Sequence, residues 1–323
     1  MKDMGDSMNG GGLVLPASTG MWTAIEVVAS TGSTNADLLA RAVAEPGLPE
    51  GQVLVAEEQT AGRGRLGRTW TSVPGASLTF SLLLRPAAVP QGRRGWLPLL
   101  TGVAVATAVR LVTAGPAGGG SAVEAVLKWP NDVLAGDRKL AGILAEQSPD
   151  GSAVVVGVGL NVATPAEDLP LSPAGLPATS LLAEGASVSR QTLLLEVLRQ
   201  FERRYAAFRL DPDPARTGLL AEYRGLCGTL GRRVRVELPV GRTVTGTATD
   251  IDLEGRLLVT ESPAVTPTPI SAGDVVHVRL PAAARGENKR SWIDSAAMAS
   301  FPIQELSRGG PTMSLWPMTA RWR

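Results

Sequence analysis

Residues 126–146, VLKWPNDVLAGDRKLAGILAE, decide the fold of this chain. Two apolar runs enclose the turn residues Pro130, Asn131 and Asp132, and a second turn at residues 136–137 precedes a third apolar run. Turn residues between short apolar runs are typical of antiparallel hairpins. The stretch therefore predicts three consecutive antiparallel strands.

Two lysines lie in this stretch, although lysine is rare in the chain. Of 31 basic residues only four are lysines, and Lys128 and Lys139 are two of them. A compact ammonium cannot be replaced by the planar guanidinium of arginine. Lys128 and Lys139, with Asp132 between them, are therefore candidate functional residues. The simpler interpretation is an ion-pair cluster at the surface.

The segments on either side of this stretch predict further strands and helices. Apolar strands are expected at residues 22–28, 53–56, 76–84 and 154–161. Helices are expected at residues 36–44, 95–112, 179–184, 190–210 and 214–227. Together they predict an α+β fold: a mixed, mostly antiparallel sheet with helices packed on one face.

A second unit of short strands follows near Gly228. Strands at residues 233–236, 244–248, 251–253, 257–259 and 275–278, separated by tight turns, predict a small SH3-like β-barrel. We expect a catalytic domain at residues 21–228 and the barrel at residues 229–281. Residues 1–20 and 282–323 lack periodicity, so both ends are predicted to be disordered.

Composition excludes several classes of function. The chain of 323 residues has a net charge of +1, which argues against a general polyanion binder. Cys227 is the only cysteine and His277 the only histidine, so an internal disulfide, a His-based triad and a His-rich metal site are excluded. A reducing, cytoplasmic environment is expected. The apolar residues 95–112 contain a proline and predict a buried helix rather than a membrane span.

A loop rich in glycine and arginine connects two of the predicted strands. In residues 59–70, QTAGRGRLGRTW, glycines alternate with arginines and a tryptophan ends the run. Glycine lets the backbone approach a ligand closely, and arginine binds phosphate and carboxylate in a forked geometry. The loop predicts an anion site, although a solvated turn has the same composition. Its spacing matches neither a P-loop nor a dinucleotide fingerprint.

Four motifs in a fixed order resemble the biotin protein ligase family. They are Ser33-Thr34-Asn35, the glycine-arginine loop, residues 128–144 and residues 157–161, GVGLN. The resemblance covers residues 22–281. It implies a class II synthetase-like catalytic domain, a C-terminal SH3-like domain and the short class without an N-terminal DNA-binding domain.

The resemblance implies a reaction in two steps. Biotin and ATP would form biotinyl-5′-AMP, and biotin would then pass to one lysine of a biotin carboxyl carrier domain of an acyl-CoA carboxylase. Mg²⁺ would be held mainly by phosphates and water, with few protein ligands, and no residue is assigned as a metal ligand. The expected protein is a monomer or weak homodimer that binds neither nucleic acid nor membrane.

The resemblance also assigns roles to individual residues. The catalytic set is Lys139, Arg65, Asp132 and Lys128; the place of Asp132 in the Pro-Asn-Asp turn makes it the candidate general base for transfer. The substrate-binding set is Ser33, Thr34, Asn35, Gln59, Gly62, Arg63, Gly64, Arg65, Arg68, Trp70, Asn131, Lys139, Gly142 and Asn161. Within it, Asn131 and Asn161 are expected on the ATP or Mg²⁺ side, and Trp70 is expected to stack on adenine.

Two other functions fit parts of the sequence. A lipoate ligase of the same fold would use the same chemistry on a different acid. A nucleic-acid-binding module would explain the glycine-arginine loop and the barrel, but the near-zero net charge argues against it. The loop itself is expected to become ordered when biotin or the adenylate binds, with slower proteolysis near Arg65.

Overall fold

The computed structural model describes Leu13 and residues 15–115, 119–170, 176–238, 241–264 and 266–278. Within these residues the helices and strands are β1 (Ala24–Thr31), α1 (Thr34–Ala44), β2 (Gln52–Gln59), β3 (Ser77–Leu84), α2 (Trp96–Ala114), β4 (Gly119–Gly120), β5 (Ala125–Lys128), β6 (Asp132–Ala135), β7 (Arg138–Gln147), β8 (Val154–Asn161), β9 (Ala186–Ser187), α3 (Arg190–Leu210), α4 (Leu219–Leu226), β10 (Arg233–Glu237), β11 (Thr243–Ile251), β12 (Leu257–Thr260), β13 (Thr268–Ile270) and β14 (Asp274–His277).

The main sheet has seven strands in the order β1-β2-β3-β8-β7-β6-β5. Only the pairing of β1 with β2 is parallel, and the remaining neighbours are antiparallel. The three strands expected from residues 126–146 are β5, β6 and β7, with Lys128 opposite Asp132 across the first turn. The predicted α+β fold with a mostly antiparallel sheet is confirmed.

Helices cover both faces of this sheet, whereas one covered face was predicted. On one face α1 packs Leu38 and Ala42 against Leu54, Leu83 and Val155. On the other face lies the larger core, to which α2, α3 and α4 contribute. Because both faces are covered, all eight residues of β3 are buried.

Helix α2 is the central helix of the larger core. The segment 91–114 is long and apolar enough to cross a membrane, with a mean hydropathy of 1.7. Most residues of α2 are nevertheless buried within this fold. Burial in the core therefore accounts for the apolar composition of α2.

Two predicted helices need correction. No helix forms at residues 179–184: residues 181–185 form a hydrogen-bonded turn, and the N–H of Glu184 donates to the carbonyl of Ser180 at 3.0 Å. The helix predicted from residue 214 begins only at Leu219, because Gly218 adopts the left-handed region with φ of +78°. The bounds of α3 agree with the prediction, and Ser189 accepts the N–H of Thr192 as its cap.

The second sheet has five strands in the order β13-β12-β11-β10-β14, all antiparallel. The separate strand predicted at residues 251–253 is wrong: Ile251 is the last residue of β11, and a turn follows. Strand β13 was not predicted. The alternating buried and exposed residues of β10 and β11 give this sheet one core-facing side, consistent with an SH3-like unit.

Part of the N-terminal extension is ordered, contrary to the predicted disorder of residues 1–20. The N–H of Ile25 donates to the carbonyl of Ala17 at 2.8 Å, and Thr19 and Trp22 exchange backbone hydrogen bonds. Residues 1–12, and residues 282–323 of the predicted tail, lie outside the described residues.

Candidate active site

A row of glycines forms the floor of the candidate site. Side chains alternate along β8, so Gly157, Gly159 and Asn161 share the α1 face of the sheet with Val155. Gly142 on β7 lies directly opposite Gly159. A Cβ atom on Gly157 would collide with the Asn35 side chain, and one on Gly159 with Trp70. The missing side chains therefore let other groups lie directly on the sheet.

A buried polar network lies beside this floor, where α1 begins. The N–H and the hydroxyl of Thr34 donate to Gln59 Oε1 at 2.9 and 3.0 Å. Ser81 Oγ on β3 lies 2.7 Å from Thr34 Oγ1 and 2.6 Å from Asn35 Oδ1. Asn35 Nδ2 donates to Glu146 at 2.8 Å. The network brings together three predicted binding residues, whereas Ser33 serves as the helix cap.

A buried cluster of three charges closes the other side of the floor. Lys139 Nζ lies 2.6 Å from Asp132 Oδ1, and Lys128 Nζ lies 3.3 Å from Asp132 Oδ2. Lys128 and Asp132 are 7% and 9% exposed, which rules out the surface ion-pair interpretation. The side chain of Lys139 is 28% exposed, so its ammonium can also reach a ligand.

The electrostatics of this cluster determine the protonation of its members. Burial alone would raise the pKa of Asp132, but Lys139 and Lys128 outweigh it and hold that pKa below its ordinary value. Burial lowers the pKa of Lys128, and the nearby Asp132 offsets part of this effect. Asp132 is therefore a firmly ionised carboxylate, and a carboxylate with a lowered pKa is a weak base.

The glycine-arginine loop runs from the end of β2 across the site. Its backbone folds on itself, because the N–H of Gly64 donates to Arg68 O at 2.7 Å and the N–H of Trp70 donates to Gly62 O at 2.9 Å. Residues Arg65–Gly67 form a short 3-10 turn. The predicted connection between two strands is confirmed, and its glycines are used for close backbone contacts.

The three arginines of the loop point to different partners. Arg65 donates to Asn131 Oδ1 at 3.0 Å and approaches the carbonyl of Gly273 at 3.5 Å. Arg63 is largely exposed and lies 4.0 Å from Glu146. Arg68 forms an ion pair with Asp274 of β14. Only Arg65 is thus placed beside other predicted site residues.

Trp70 covers the glycine floor. Its ring lies 3.3 Å from the position of a Cβ on Gly142, and the Lys139 ammonium lies 5.9 Å from the ring centroid. The indole Nε1 is buried and has no hydrogen-bond partner among the described residues. Trp70 and Gly142 therefore meet at the predicted site, together with Lys139.

A cavity of about 450 Å³ lies next to Asn131 and Arg65. Its lining includes Ile143 and Trp129 from the main sheet and its turns, and Glu254 and Arg256 from the turn between β11 and β12. Asn161 lies apart from it, at the end of β8, where its Nδ2 donates to Thr179 O at 2.9 Å.

Two residues of the polar network, Ser81 and Glu146, were not predicted. The alternation of Ser77, Thr79 and Ser81 in an otherwise apolar strand was a usable signal for a polar stripe on β3. Glu146 had no comparable signal, because its partner Asn35 is 111 residues away in the chain.

Comparison with known proteins gives this arrangement a family. Residues 27–162 match the Biotin/lipoate A/B protein ligase family, and residues 229–278 match the Biotin protein ligase C terminal domain. Biotin--[acetyl-CoA-carboxylase] ligase of Mycobacterium tuberculosis is 46% identical over 259 residues, which cover 80% of this chain and 90% of that protein. The chain belongs to the biotin protein ligase family.

Other members of the biotin protein ligase family resemble the chain in sequence or in fold. Bifunctional ligase/repressor BirA of Escherichia coli is 32% identical over 247 residues, or 75% of this chain and 71% of that protein. The structure of a biotin protein ligase from Aquifex aeolicus in complex with biotin and ATP matches with a TM-score of 0.62. It is 28% identical and covers 79% of this chain and 99% of that chain.

Proposed function

We propose that this protein is an ATP-dependent biotin ligase, which activates biotin as biotinyl-5′-AMP and transfers it to a lysine of a carrier domain. One observation carries the proposal: four motifs that are distant in sequence meet around the glycine floor of the main sheet. The activity in the names of its relatives, biotin--[acetyl-CoA-carboxylase] ligase among them, supports the same reaction.

In the first step, a carboxylate oxygen of biotin attacks the α-phosphorus of ATP, and the bond to pyrophosphate breaks. Negative charge develops on the phosphate oxygens, so fixed cations aimed at that point accelerate the step. Lys139 is the best placed cation, since it is partly exposed and lies on the glycine floor. Arg65, beside Asn131, is the second.

In the second step, a neutral carrier lysine attacks the acyl carbon, the bond from that carbon to the phosphate oxygen breaks, AMP leaves as its anion, and the proton lost by the amine passes to solvent. The sequence made Asp132 the candidate base for this step. Its two oxygens are engaged by Lys128 and Lys139, and its lowered pKa makes it a poor proton acceptor. We therefore assign Asp132 the role of holding Lys139 in place, in which case its loss impairs both steps and not transfer alone.

The polar network at the start of α1 favours biotin over lipoate. The ureido ring of biotin offers both donors and an acceptor to the hydroxyls and amides of Thr34, Gln59 and Ser81. The dithiolane of lipoate offers no comparable donors and acceptors, so it would gain no hydrogen bonds from this network, whose side chains already bond to one another.

In this proposal Mg²⁺ enters the site bound to ATP. The described residues contain no group of three or more His, Cys, Asp or Glu side chains that could hold a metal ion. Asp132 is engaged by two lysines. Mg²⁺ would therefore be held by the triphosphate and water, and would neutralise charge on the leaving pyrophosphate.

The acceptor in this proposal is the biotin carrier domain of an acetyl-CoA carboxylase, in line with the name of the relative from Mycobacterium tuberculosis. The protein is proposed to be soluble and cytoplasmic, a monomer or weak homodimer, without a nucleic-acid or membrane partner. We also propose the division into a catalytic domain and an SH3-like domain near residue 228.

A labelling experiment tests the function. The protein is incubated with labelled biotin, MgATP and a carrier domain, and a carrier whose acceptor lysine is replaced by alanine serves as the control. We expect biotinyl-5′-AMP in both reactions and lysine-linked label only with the intact carrier. Absence of both products would refute the proposal. Titration with biotin and with lipoate separates the two ligases.

A further inference from the structure

Two buried tryptophans donate to a single turn of the barrel. The turn, residues 252–256, connects β11 to β12. Trp96 Nε1 on α2 donates to the carbonyl of Leu253 at 2.8 Å, and Trp129 Nε1 donates to the carbonyl of Gly255 at 3.0 Å. Both tryptophan side chains are almost completely buried. This turn is therefore a fixed point of contact between the two sheets.

The turn has a defined shape of its own. Asp252 Oδ1 accepts the N–H groups of Glu254 and Arg256 at 3.0 and 2.9 Å. Gly255 adopts φ of +81°, and a Cβ there would lie 3.0 Å from Leu99 Cδ1 on α2. The carbonyl that accepts the Trp129 indole is thus held both by the turn and by its packing on α2.

Trp129 differs from Trp96 in where it lies in the chain. Trp129 immediately precedes Pro130 and Asn131 in the turn between β5 and β6. Its backbone N–H donates to Thr229 Oγ1 at 3.1 Å. Asn131 in turn accepts from Arg65 at 3.0 Å. Because Trp129 and Asn131 belong to one short turn, we expect the indole contact to help position Asn131, which also donates to Ile143 O at 3.0 Å, and through it Arg65.

The barrel turn and the Trp129 turn face each other across the cavity of about 450 Å³. Glu254 and Arg256 line it from the barrel, and Trp129, Asn131 and Arg65 line it from the catalytic part. The biotin contacts proposed at Thr34 and Gln59 are not part of this lining. A change in the barrel turn should therefore affect the part of the site beside Asn131 and Arg65, and not the part beside Thr34 and Gln59.

We propose that the barrel turn 252–256 is a positioning element for the nucleotide half of the reaction, and that it acts through the Trp129 indole on Asn131 and Arg65. The inference rests on the proposed function, which places ATP beside these two residues. It requires that loss of the hydrogen bond from the Trp129 indole to Gly255 raises the KM for ATP and leaves biotin binding unchanged.

Replacement of each tryptophan by phenylalanine tests the proposal. Both Trp129→Phe and Trp96→Phe remove one indole hydrogen bond to the same turn, so both should lower thermal stability by a similar amount. Only Trp129→Phe should raise the KM for ATP, by up to about tenfold, because the free energy of one internal hydrogen bond limits what its loss can add to the cost of ordering Asn131 and Arg65 for ATP. For Trp96→Phe we expect a KM for ATP within about twofold of the wild type. The dissociation constant for biotin alone should stay unchanged in both.

A second pair of variants tests the same proposal if Trp129→Phe does not fold. Gly255→Ala and Gly231→Ala place alanine at left-handed positions with φ of +81° and +77°, but only the Cβ at residue 255 meets a neighbour. The KM for ATP should rise in Gly255→Ala alone. Equal KM values for ATP within either folded pair, or a matching loss of biotin affinity, would overturn the inference. Failure of the wild type to form biotinyl-5′-AMP would instead overturn the proposed function.

Discussion

Two groups of cations are held in position by two different kinds of structure. Lys128 and Lys139 lie on β5 and β7 of the main sheet and share one buried partner, Asp132. Arg65 and Arg68 lie on an irregular loop and take their partners from the Trp129 turn and from the barrel. The two lysines are placed by strand register, whereas the two arginines are placed by distant residues.

This difference has an energetic consequence. A buried ion pair is costly to break, because the remaining charge stays away from water. An exposed ion pair contributes little, because water and salt screen it. The sheet cluster should therefore lose stability when one of its buried charges is removed, while the loop can exchange its partners for those of a ligand.

The largest expected effect is on stability, in Asp132→Ala. The substitution leaves Lys128, which is 7% exposed, without a carboxylate. We expect the free energy of unfolding to fall by about 3–5 kcal/mol, measured by urea denaturation at pH 7. A loss below about 1 kcal/mol would mean that the cluster behaves like a surface pair and would remove the contrast with the loop.

The second effect is on catalysis, in Lys139→Met. Loss of one fixed charge at the reacting phosphate should slow biotinyl-5′-AMP formation by about 100–1,000-fold, measured as single-turnover pyrophosphate release. The matched change on the loop is Arg68→Met, whose guanidinium is bound to Asp274. We expect it to slow the same step by less than about tenfold. Equal effects of the two changes would contradict the distinction between sheet and loop cations.

The third prediction concerns acid. Because the pKa of Asp132 in the folded protein lies below its ordinary value of 3.8, its ionised form stabilises the fold above pH 3.8. That stabilisation is lost as the pH falls through the lowered pKa, at about 1.4 kcal/mol for each unit of the shift. The difference in stability between wild type and Asp132→Asn should be constant from pH 7 to 5 and shrink below pH 3.8. A difference that shrinks already at pH 6 would show that a group other than Asp132 is responsible for the pH dependence.

The smallest effect is expected for Asp274→Ala, the loop counterpart of Asp132→Ala. Its partner Arg68 has 47% of its side chain exposed. The free energy of unfolding should change by less than about 1 kcal/mol, and high salt should abolish the difference. A loss comparable to that of Asp132→Ala would show that the loop is as firmly fixed as the sheet.

The hairpins were predictable from sequence because their signals are local. Pro130 and Asn131 mark one turn and Gly136 the next, and the apolar runs between them supply the strands. Ser189 gave the start of α3 in the same way. Where local signals competed, the prediction failed: Asp252 binds two backbone N–H groups and forms a turn where a strand was expected.

The site was predictable as a set of residues but not as a geometry. Thr34, Gln59, Lys139 and Arg65 were identified from their motifs, and their catalytic and binding roles stay predictions. The contribution of Ser81 depends on α1 packing across β3, which brings Asn35 to its hydroxyl. The barrel contacts of Arg65 and Arg68 join residues more than 200 positions apart.

The sequence by itself determined most strands of the main sheet, the long helices, the family resemblance and the chemical types that meet at the site, because turns, caps and periodicity act within a few residues. Only the tertiary structure decided that Asp132 is buried between two lysines, that Trp70 lies on bare glycines and that one barrel turn holds Trp129. Those features depend on strand order and on the packing of two sheets, which bring together groups that no local pattern connects.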